Sequence, residues 1–241
     1  MTAFVLVHGA WGGAHGFRHV RRLLAAAGHD ATAPALTGIG ERVHLVSPQV
    51  GLGTHVTDVV NHVLYEDLDD LVLVGFSYGG MVVTGALEHL AGRLRALVYV
   101  DAFVPADGDS VFGLLGTPPP GPRRPGEPWL LDGPARVYED PAEEAFSVPR
   151  RTAQPLACFT ERVRLRPPLE DLGFPLTYVR ATLPEPGIPP NPAFDAAADR
   201  ARTDPGWRYR EVATTHLVPQ NRPDELVGLL VEAADAGGRR A

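Results

Sequence analysis

The chain has 241 residues, of which 44% are hydrophobic and 21% are charged, and its formal net charge is −7. This composition supplies enough apolar material for a full core and excludes an intrinsically disordered chain. The acidic balance argues against nucleic acid as the main partner, because such binding needs clustered cations. At about 150 residues per domain, the length fits one large domain or two small ones.

Residue types that are rare or missing exclude several kinds of chemistry. All 22 basic residues are arginine, so neither a Schiff-base lysine nor the lysine of a phosphate-binding P-loop is available. The single cysteine, Cys158, excludes an internal disulfide framework and a multi-cysteine zinc site. No apolar run reaches the roughly 18 residues that span a bilayer, and the first residues lack the pattern of a secretion signal. We therefore expect a cytoplasmic protein that binds neither nucleic acid nor membrane, with its oligomeric state left open.

In chain order, short apolar runs alternate with longer amphipathic stretches, a pattern typical of a parallel sheet covered by helices. Strands are predicted at residues 4–7, 29–33, 71–74, 96–100, 176–179 and 207–212. Helices are predicted at residues 16–27, 56–64, 78–90, 192–202 and 223–234. The sequence thus predicts an α/β fold with a mostly parallel sheet of about six strands, flanked by helices.

This alternation breaks down between Ala102 and Gly173. Pro118–Gly126 is a run of prolines and glycines that forms neither helix interior nor strand interior. It is also too long for an ordinary connection in a compact domain. We therefore predict a proline-rich loop at residues 117–128 that belongs to an insertion or mobile loop.

The break divides the chain into two predicted parts. Residues 1–101 and 174–241 form the α/β core, and residues 102–173 form a cap inserted after the strand that ends near Val100. Short helices are expected within the cap, over residues 143–165. We place the cap over the carboxyl edge of the sheet, because ligands bind at that edge in open α/β folds. The alternative for this region is a disordered surface loop.

The strongest local motif is Gly75-Phe76-Ser77-Tyr78-Gly79, which fits the pattern G-x-S-x-G. It stands directly after a predicted buried strand and directly before a predicted helix, as the motif requires. The glycines permit a sharp turn that exposes Ser77 in a strained conformation. The helix that follows directs its N-terminal amides to the same place. Ser77 is therefore the candidate nucleophile.

A nucleophilic serine needs a base, and nine histidines compete for that role. His216 follows the last predicted strand and precedes the last predicted helix, which gives the order serine, acid, histidine expected on this fold. His15 and His19 are four residues apart, but they lack a nearby acidic third ligand; a solvated face is therefore favoured, and no metal is expected. Histidines without motif context are interpreted as surface or capping residues: His44, His55, His62 and His89.

Backbone amides for an oxyanion hole belong at the end of a neighbouring strand. The first strand runs into His8-Gly9-Ala10-Trp11-Gly12-Gly13, which brings free N–H groups to that edge. The amide of Ala10 or of Trp11, together with that of Tyr78, is the candidate pair. The alternative is that His8 and Gly9 only form a turn.

Two carboxylates are candidates for orienting His216 and stabilising its imidazolium. Glu185 lies between prolines after the predicted strand at 176–179, and Asp101 directly follows the predicted strand at 96–100. Asp101 is favoured because its strand is expected to lie beside the strand that carries the nucleophile. Glu185 stays open as the alternative acid.

At these motifs the chain resembles the α/β-hydrolase superfamily, and more narrowly the bacterial relatives of the plant methylesterase and hydroxynitrile lyase group. The segments that carry the resemblance span nearly the whole chain: residues 4–11, 37–42, 75–80, 97–105 and 207–226. The resemblance implies a helical cap over an apolar pocket, and activity on small esters without a cofactor.

The chain departs from this family at several positions. The family's usual acid follows the later strand, at a position that falls near Pro184 here. Related hydrolases, such as some haloalkane dehalogenases, place the acid after the earlier strand, where this chain has Asp101. Hydroxynitrile lyases of the group carry a lysine directly after the catalytic histidine, whereas this chain has Leu217. The residue before the nucleophile is often histidine in close relatives and is Phe76 here.

Together these features predict a serine hydrolase that cleaves a small or medium ester, lactone or thioester through a Ser-His-Asp triad and an acyl-enzyme. A lyase or cyclase of secondary metabolism that uses the same triad for proton transfer is one alternative, and a non-catalytic ligand-binding homologue is another. A small molecule is the expected partner. Large side chains near the motifs are candidates for the pocket wall: His15, Phe76, Phe112, Trp129 and Phe159.

Overall fold

The computed structural model describes residues 1–117, 124 and 126–238, so residues 118–123 and 125 of the proline-rich loop lie outside the described residues. Six strands form the main sheet: β1 Ala3–Val7, β2 Asp30–Thr32, β3 Leu71–Phe76, β4 Leu94–Val100, β7 Leu176–Ala181 and β8 Trp207–Val212. Two short strands, β5 Leu130–Leu131 and β6 Gln154–Pro155, form a separate antiparallel pair.

The main sheet has the strand order β2-β1-β3-β4-β7-β8, and every pairing in it is parallel. This confirms the predicted α/β fold with a parallel sheet of about six strands. Because the strands are parallel, the residues that follow β1, β3 and β4 meet at one edge. The backbone pairing continues past the strand ends there, since the Ser77 amide donates to the Val100 carbonyl oxygen at 3.2 Å.

Helices cover both faces of the sheet. Their bounds are α1 Arg18–Ala26, α2 Leu52–Tyr65, α3 Gly79–Leu90, α4 Val111–Leu115, α5 Pro141–Ser147, α6 Ala157–Thr160, α7 Pro192–Thr203, α8 Val218–Asn221 and α9 Pro223–Ala236. Helices α1 and α9 pack on one face, while α2, α3 and α7 pack on the other. No helix in the described part of the chain is long and apolar enough to cross a bilayer.

Two hydrophobic cores result from this arrangement, one on each face of the sheet. Strand β1 shows why, because its successive side chains alternate between them: Phe4 and Leu6 pack in one core, Val5 and Val7 in the other. All four are fully buried. A strand buried on both faces needs a continuous apolar run, which is the pattern that the sequence shows there.

Residues 102–173, here called the cap segment, leave the sheet between β4 and β7. The described part contains α4, α5, α6 and the β5–β6 pair. Glu143 of α5 is 3% exposed and forms an ion pair with Arg18 of α1, while the Ser147 hydroxyl donates to Glu143 at 2.6 Å. The ion pair with Arg18 therefore fastens the cap segment to α1.

Candidate active site

Ser77 sits on a tight turn between β3 and α3. Its φ is +56°, a left-handed conformation that is strained for a residue with a side chain. The neighbouring glycines are needed because backbone passes close by. A Cβ on Gly75 would lie 2.9 Å from the Gly79 carbonyl oxygen, and a Cβ on Gly79 would collide with the Val7 carbonyl oxygen. The turn therefore presents Ser77 at the carboxyl edge of the sheet.

A continuous hydrogen-bonded chain joins Ser77, His216 and Asp101. Ser77 Oγ lies 3.0 Å from His216 Nε2, and His216 Nδ1 lies 2.7 Å from Asp101 Oδ2. An ionised carboxylate only accepts hydrogen bonds, so Nδ1–H donates to Asp101 and the Nε2 lone pair faces the Ser77 hydroxyl. The His216 ring lies between Phe76 and Phe194, with ring centroids 4.9 Å and 5.4 Å away. The structure thus brings together the predicted serine, histidine and favoured acid.

The Asp101 carboxylate is buried, but hydrogen bonds and charges from neighbouring protein groups replace the water that it loses. Burial alone would raise its pKa, but hydrogen bonds and charges from His216 and Arg180 outweigh burial and lower the pKa below its usual value. The Arg180 guanidinium lies 2.5 Å from Asp101 Oδ1, and the Ala181 amide donates to the same oxygen at 3.2 Å. Asp101 is therefore held as the anion that the imidazole needs.

The His216 side chain is only 10% exposed, and this partial burial lowers its pKa below the usual 6.5. The Asp101 carboxylate opposes this effect by stabilising the protonated ring. Because burial dominates, the imidazole is neutral near pH 7. A neutral ring with a free Nε2 is the state that can accept a proton from a hydroxyl group.

Glu185, the alternative acid, makes no hydrogen bond to His216. Its carboxylate pairs with Arg136 of the cap segment and accepts from the Val137 amide at 3.0 Å. Both carboxylate oxygens of Glu185 are therefore engaged in joining the loop after β7 to the cap segment. Of the two candidate acids, only Asp101 bonds to His216.

The predicted oxyanion amides fall into two groups. Among the described residues, no hydrogen-bond acceptor meets the amides of Ala10 and Tyr78. The Trp11 amide instead donates to Gln154 Oε1 at 2.9 Å, so it is not free for an oxyanion. The expectation that Trp11 could supply the donor is therefore wrong, because a side chain of the cap segment occupies its amide. Ala10 and Tyr78 remain as the candidate pair.

His55 was interpreted as a surface or capping residue, and the structure contradicts this. The His55 side chain is fully buried under Tyr78. Its Nε2–H donates to the Thr37 carbonyl oxygen at 2.8 Å, and its Nδ1 accepts from the Tyr78 hydroxyl at 3.0 Å. Burial lowers the pKa of His55, which keeps the ring neutral. The hydrogen bond from the Tyr78 hydroxyl to His55 holds the Tyr78 side chain in place.

A cavity of about 670 Å³ opens beside Ser77 and His216. This volume lies within the range of about 300–1,000 Å³ that is typical of small-molecule sites. Phe112 and Phe159 line it, as predicted, and both belong to the cap segment. The arginine–carboxylate pairs of Arg180 with Asp101 and of Arg136 with Glu185 form a polar part of the wall.

The other three predicted pocket residues lie outside this lining. His15 and Phe76 line a separate cavity of about 50 Å³ on the other side of the loop after β1. Phe76 faces that side because it packs edge-on against Phe17 and under the His216 ring. Trp129 lines neither cavity; it precedes β5, where its carbonyl oxygen accepts from the Leu156 amide at 2.7 Å.

His15 and His19 each have an acidic neighbour, contrary to expectation, but not the same one. His15 Nδ1 lies 2.9 Å from Glu41, and His19 Nε2 lies 3.4 Å from Glu143. The acids come from distant parts of the chain, so sequence spacing around the histidines gave no sign of them. Within the described residues, no three histidine, cysteine or acidic side chains are placed to hold one metal ion.

A sequence model of the alpha/beta hydrolase family matches residues 4–229. The carbendazim hydrolyzing esterase of Nocardioides sp. (strain SG-4G) is 50% identical over 115 residues, which make up 48% of this chain and 48% of that protein. The alpha-hydroxynitrile lyase of Arabidopsis thaliana is 32% identical over 108 residues, 42% of this chain and 40% of that protein. The chain thus aligns with less than half the length of these curated relatives.

A solved structure of similar fold is the methylesterase protein MES16 from Arabidopsis. It superposes with a TM-score of 0.76 at 23% sequence identity, covering 98% of this chain and 99% of that chain. This match confirms the fold. The predicted resemblance to the methylesterase and hydroxynitrile lyase group is confirmed by the hydroxynitrile lyase and by the putative methylesterase 19 of Arabidopsis thaliana, which is 28% identical over 222 residues, 89% of this chain and 77% of that protein.

Proposed function

The chain belongs to the alpha/beta hydrolase family, and from that premise we propose that it is a serine hydrolase of carboxylesterase type. Its substrate is a small or medium ester, lactone or thioester. The observation that carries the proposal is the hydrogen-bonded chain from Ser77 through His216 to Asp101, with distances of 3.0 Å and 2.7 Å. All three of these residues line the cavity of about 670 Å³.

In the proposed mechanism, Ser77 Oγ attacks the substrate carbonyl carbon and passes its proton to His216 Nε2. The carbonyl oxygen becomes an oxyanion that accepts from the amides of Ala10 and Tyr78. Collapse of this intermediate expels the alcohol or thiol, which takes the proton from His216. Water then attacks the acyl-enzyme with His216 as base. The second intermediate releases the carboxylic acid, and His216 returns the proton taken from water to Ser77 Oγ. Asp101 stabilises the imidazolium in both halves.

We further propose that residues 102–173 act as a cap that shapes the substrate site, since Phe112 and Phe159 line the cavity beside Ser77. Carbendazim is one test substrate, because the esterase that hydrolyses it is 50% identical over 115 residues. A cytoplasmic location stays a prediction from composition.

We expect a fluorophosphonate probe to label the chain covalently at Ser77. The reason is that neutral His216 activates the hydroxyl group and the cavity admits a small organic molecule. Intact-protein and peptide mass spectrometry measure the adduct. Hydrolysis of p-nitrophenyl acetate and butyrate is the companion assay. Labelling without any hydrolysis would favour the lyase or cyclase alternative, and absence of both would favour a ligand-binding protein.

The rate constant kcat/KM is expected to fall at acidic pH with a midpoint below 6.5. His216 must be neutral to accept the serine proton, and burial places its pKa below 6.5 in the folded protein. Asp101, whose pKa is lowered, stays ionised through this transition. The measurement is kcat/KM for p-nitrophenyl butyrate across pH. A midpoint at or above 6.5 would contradict the assignment.

Acid unfolding has to be separated from this effect. Burial lowers the pKa of His8 to about 4, whereas an unfolded histidine titrates near 6.5. The unfolded state therefore binds more protons between these values, so stability falls as pH drops through that window. Near-UV circular dichroism at each pH distinguishes a folded, protonated protein from an unfolded one.

A further inference from the structure

Trp11, on the loop after β1, is held by the cap segment through three hydrogen bonds. Its amide donates to Gln154 Oε1 at 2.9 Å, and its carbonyl oxygen accepts from the Thr152 amide at 3.0 Å. Its indole Nε1–H donates to the Leu131 carbonyl oxygen at 2.9 Å. The main-chain donor, the main-chain acceptor and the side-chain donor of this one residue therefore all depend on the cap segment.

The backbone of Trp11 needs such support. Its φ is +59°, a left-handed conformation that a bulky side chain adopts only where its surroundings enforce it. The indole ring also stacks on Phe159 of the cap segment, with ring centroids 5.4 Å apart. Without these contacts we expect the loop to relax toward a less strained conformation.

The position of Ala10 follows from that of Trp11. The peptide plane between the two residues contains the Ala10 carbonyl group and the Trp11 N–H, which donates to Gln154. The Ala10 N–H belongs to the preceding peptide plane, so Gln154 constrains it through the backbone of Ala10. On the other side, Gly9 packs so closely on the nucleophile turn that a Cβ there would lie 3.0 Å from the Ser77 Cβ. Ala10 is thus held between the two contacts, and it lines the same cavity as Ser77 and Tyr78.

Gln154 itself is completely buried, and only one of its two polar side-chain atoms has a strong hydrogen-bond partner. Its Oε1 accepts from Trp11, whereas the partner of its Nε2 in the described part of the chain is the Cys158 thiol, a weak acceptor. A buried donor with so weak a partner costs stability. An apolar side chain would avoid that cost, so the useful part of Gln154 is its acceptor.

We propose that Gln154 is a positioning residue, which acts through Trp11 to hold the Ala10 amide in the oxyanion hole. This inference rests on the proposed serine hydrolase function and adds a role for the cap segment beyond shaping the pocket. In it, the cap segment completes the part of the site that stabilises the transition state.

Three substitutions at one position test the role. Gln154→Met keeps the length of the side chain but removes its hydrogen-bond acceptor. Gln154→Asn keeps the amide group on a side chain that is one methylene shorter, so its oxygen lies farther from the Trp11 amide. Gln154→Glu keeps an acceptor oxygen on a side chain of the same length. Displacing an oxyanion donor by about 1 Å costs on the order of 100-fold in rate. We expect kcat for p-nitrophenyl butyrate to fall by about that factor in the first two variants with KM little changed. Gln154→Glu is expected to recover most of the lost rate.

A trifluoromethyl ketone, which forms an oxyanion on Ser77, gives a second readout. Its affinity is expected to fall in parallel with kcat/KM across the three variants, because it uses the same amides. Gln220→Met is the matched control. Gln220, like Gln154, buries a polar side-chain atom that lacks a nitrogen or oxygen partner among the described residues, here its Oε1, but it makes no bond to Trp11. Thermal unfolding checks that each variant is folded.

The outcomes distinguish failure of the positioning role of Gln154 from failure of the proposed hydrolase function. If Gln154→Met and Gln154→Asn, when folded, match the parent in kcat, Gln154 has no positioning role. The same holds if Gln154→Glu is as slow as they are, since the acceptor would then be irrelevant. If the parent chain neither hydrolyses the esters nor reacts with the fluorophosphonate, the hydrolase function fails, and the positioning role fails with it.

Discussion

Replacement of Ser77 by alanine is expected to lower ester turnover by about 10⁴-fold or more. The hydroxyl lies 3.0 Å from His216 Nε2 and is the only group of the proposed mechanism that bonds to substrate carbon. Alanine removes the nucleophile while leaving the amides of Ala10 and Tyr78 in place, so residual activity reflects the oxyanion hole and substrate binding alone. The measurement is kcat/KM for p-nitrophenyl acetate and butyrate.

Ser47→Ala is a matched control for this substitution. In the described residues, the Ser47 hydroxyl makes no hydrogen bond, and the residue contributes only its carbonyl oxygen to a turn with Val50. We expect this variant to retain parent activity. Hydrolysis that survives Ser77→Ala in a folded protein would show that the nucleophile has been assigned wrongly.

Replacement of Asp101 by asparagine is expected to lower kcat by about 10⁴-fold. The asparagine oxygen can still accept from Arg180 and from the Ala181 amide, so the local structure is retained. Its NH₂ group then faces His216 Nδ1 and favours the tautomer in which Nε2 carries the proton. In that tautomer the ring cannot accept the proton of Ser77.

Glu185→Gln is the comparison that decides between the two candidate acids. It removes a charge of the same sign from the same cavity wall, but Glu185 bonds to Arg136 and Val137 rather than to His216. We expect this variant to retain most of kcat, with any effect appearing in KM. A large loss of kcat in Glu185→Gln together with an active Asp101→Asn would reverse the assignment.

The sheet and the turn that carries Ser77 could be predicted because their signals are local. A buried strand such as β3 needs an uninterrupted apolar run, and the turn after it needs glycine at positions 75 and 79. Both requirements appear within a few residues of Ser77. The order of motifs along the chain then placed His216 and, through strand proximity, Asp101.

The supporting contacts could not be predicted because each joins residues far apart in the chain. His55 binds Tyr78 across 23 positions, Arg180 pairs with Asp101 across 79, and Gln154 meets Trp11 across 143. No sequence spacing marks such a contact. The sequence therefore predicts a free amide at Trp11, because the glycines near Trp11 are adjacent in the chain whereas its partner Gln154 is not.

The position of Asp101 directly after β4, beside the strand that leads to Ser77, has a consequence for how the substrate range can change. In the proposed mechanism the loop after β7, residues 182–191, supplies no reacting group, although Pro184, Glu185 and Ile188 line the cavity. Substitutions there can alter selectivity while the reacting groups stay intact. For directed evolution, libraries of substitutions in this loop are therefore expected to change substrate selectivity with little loss of kcat.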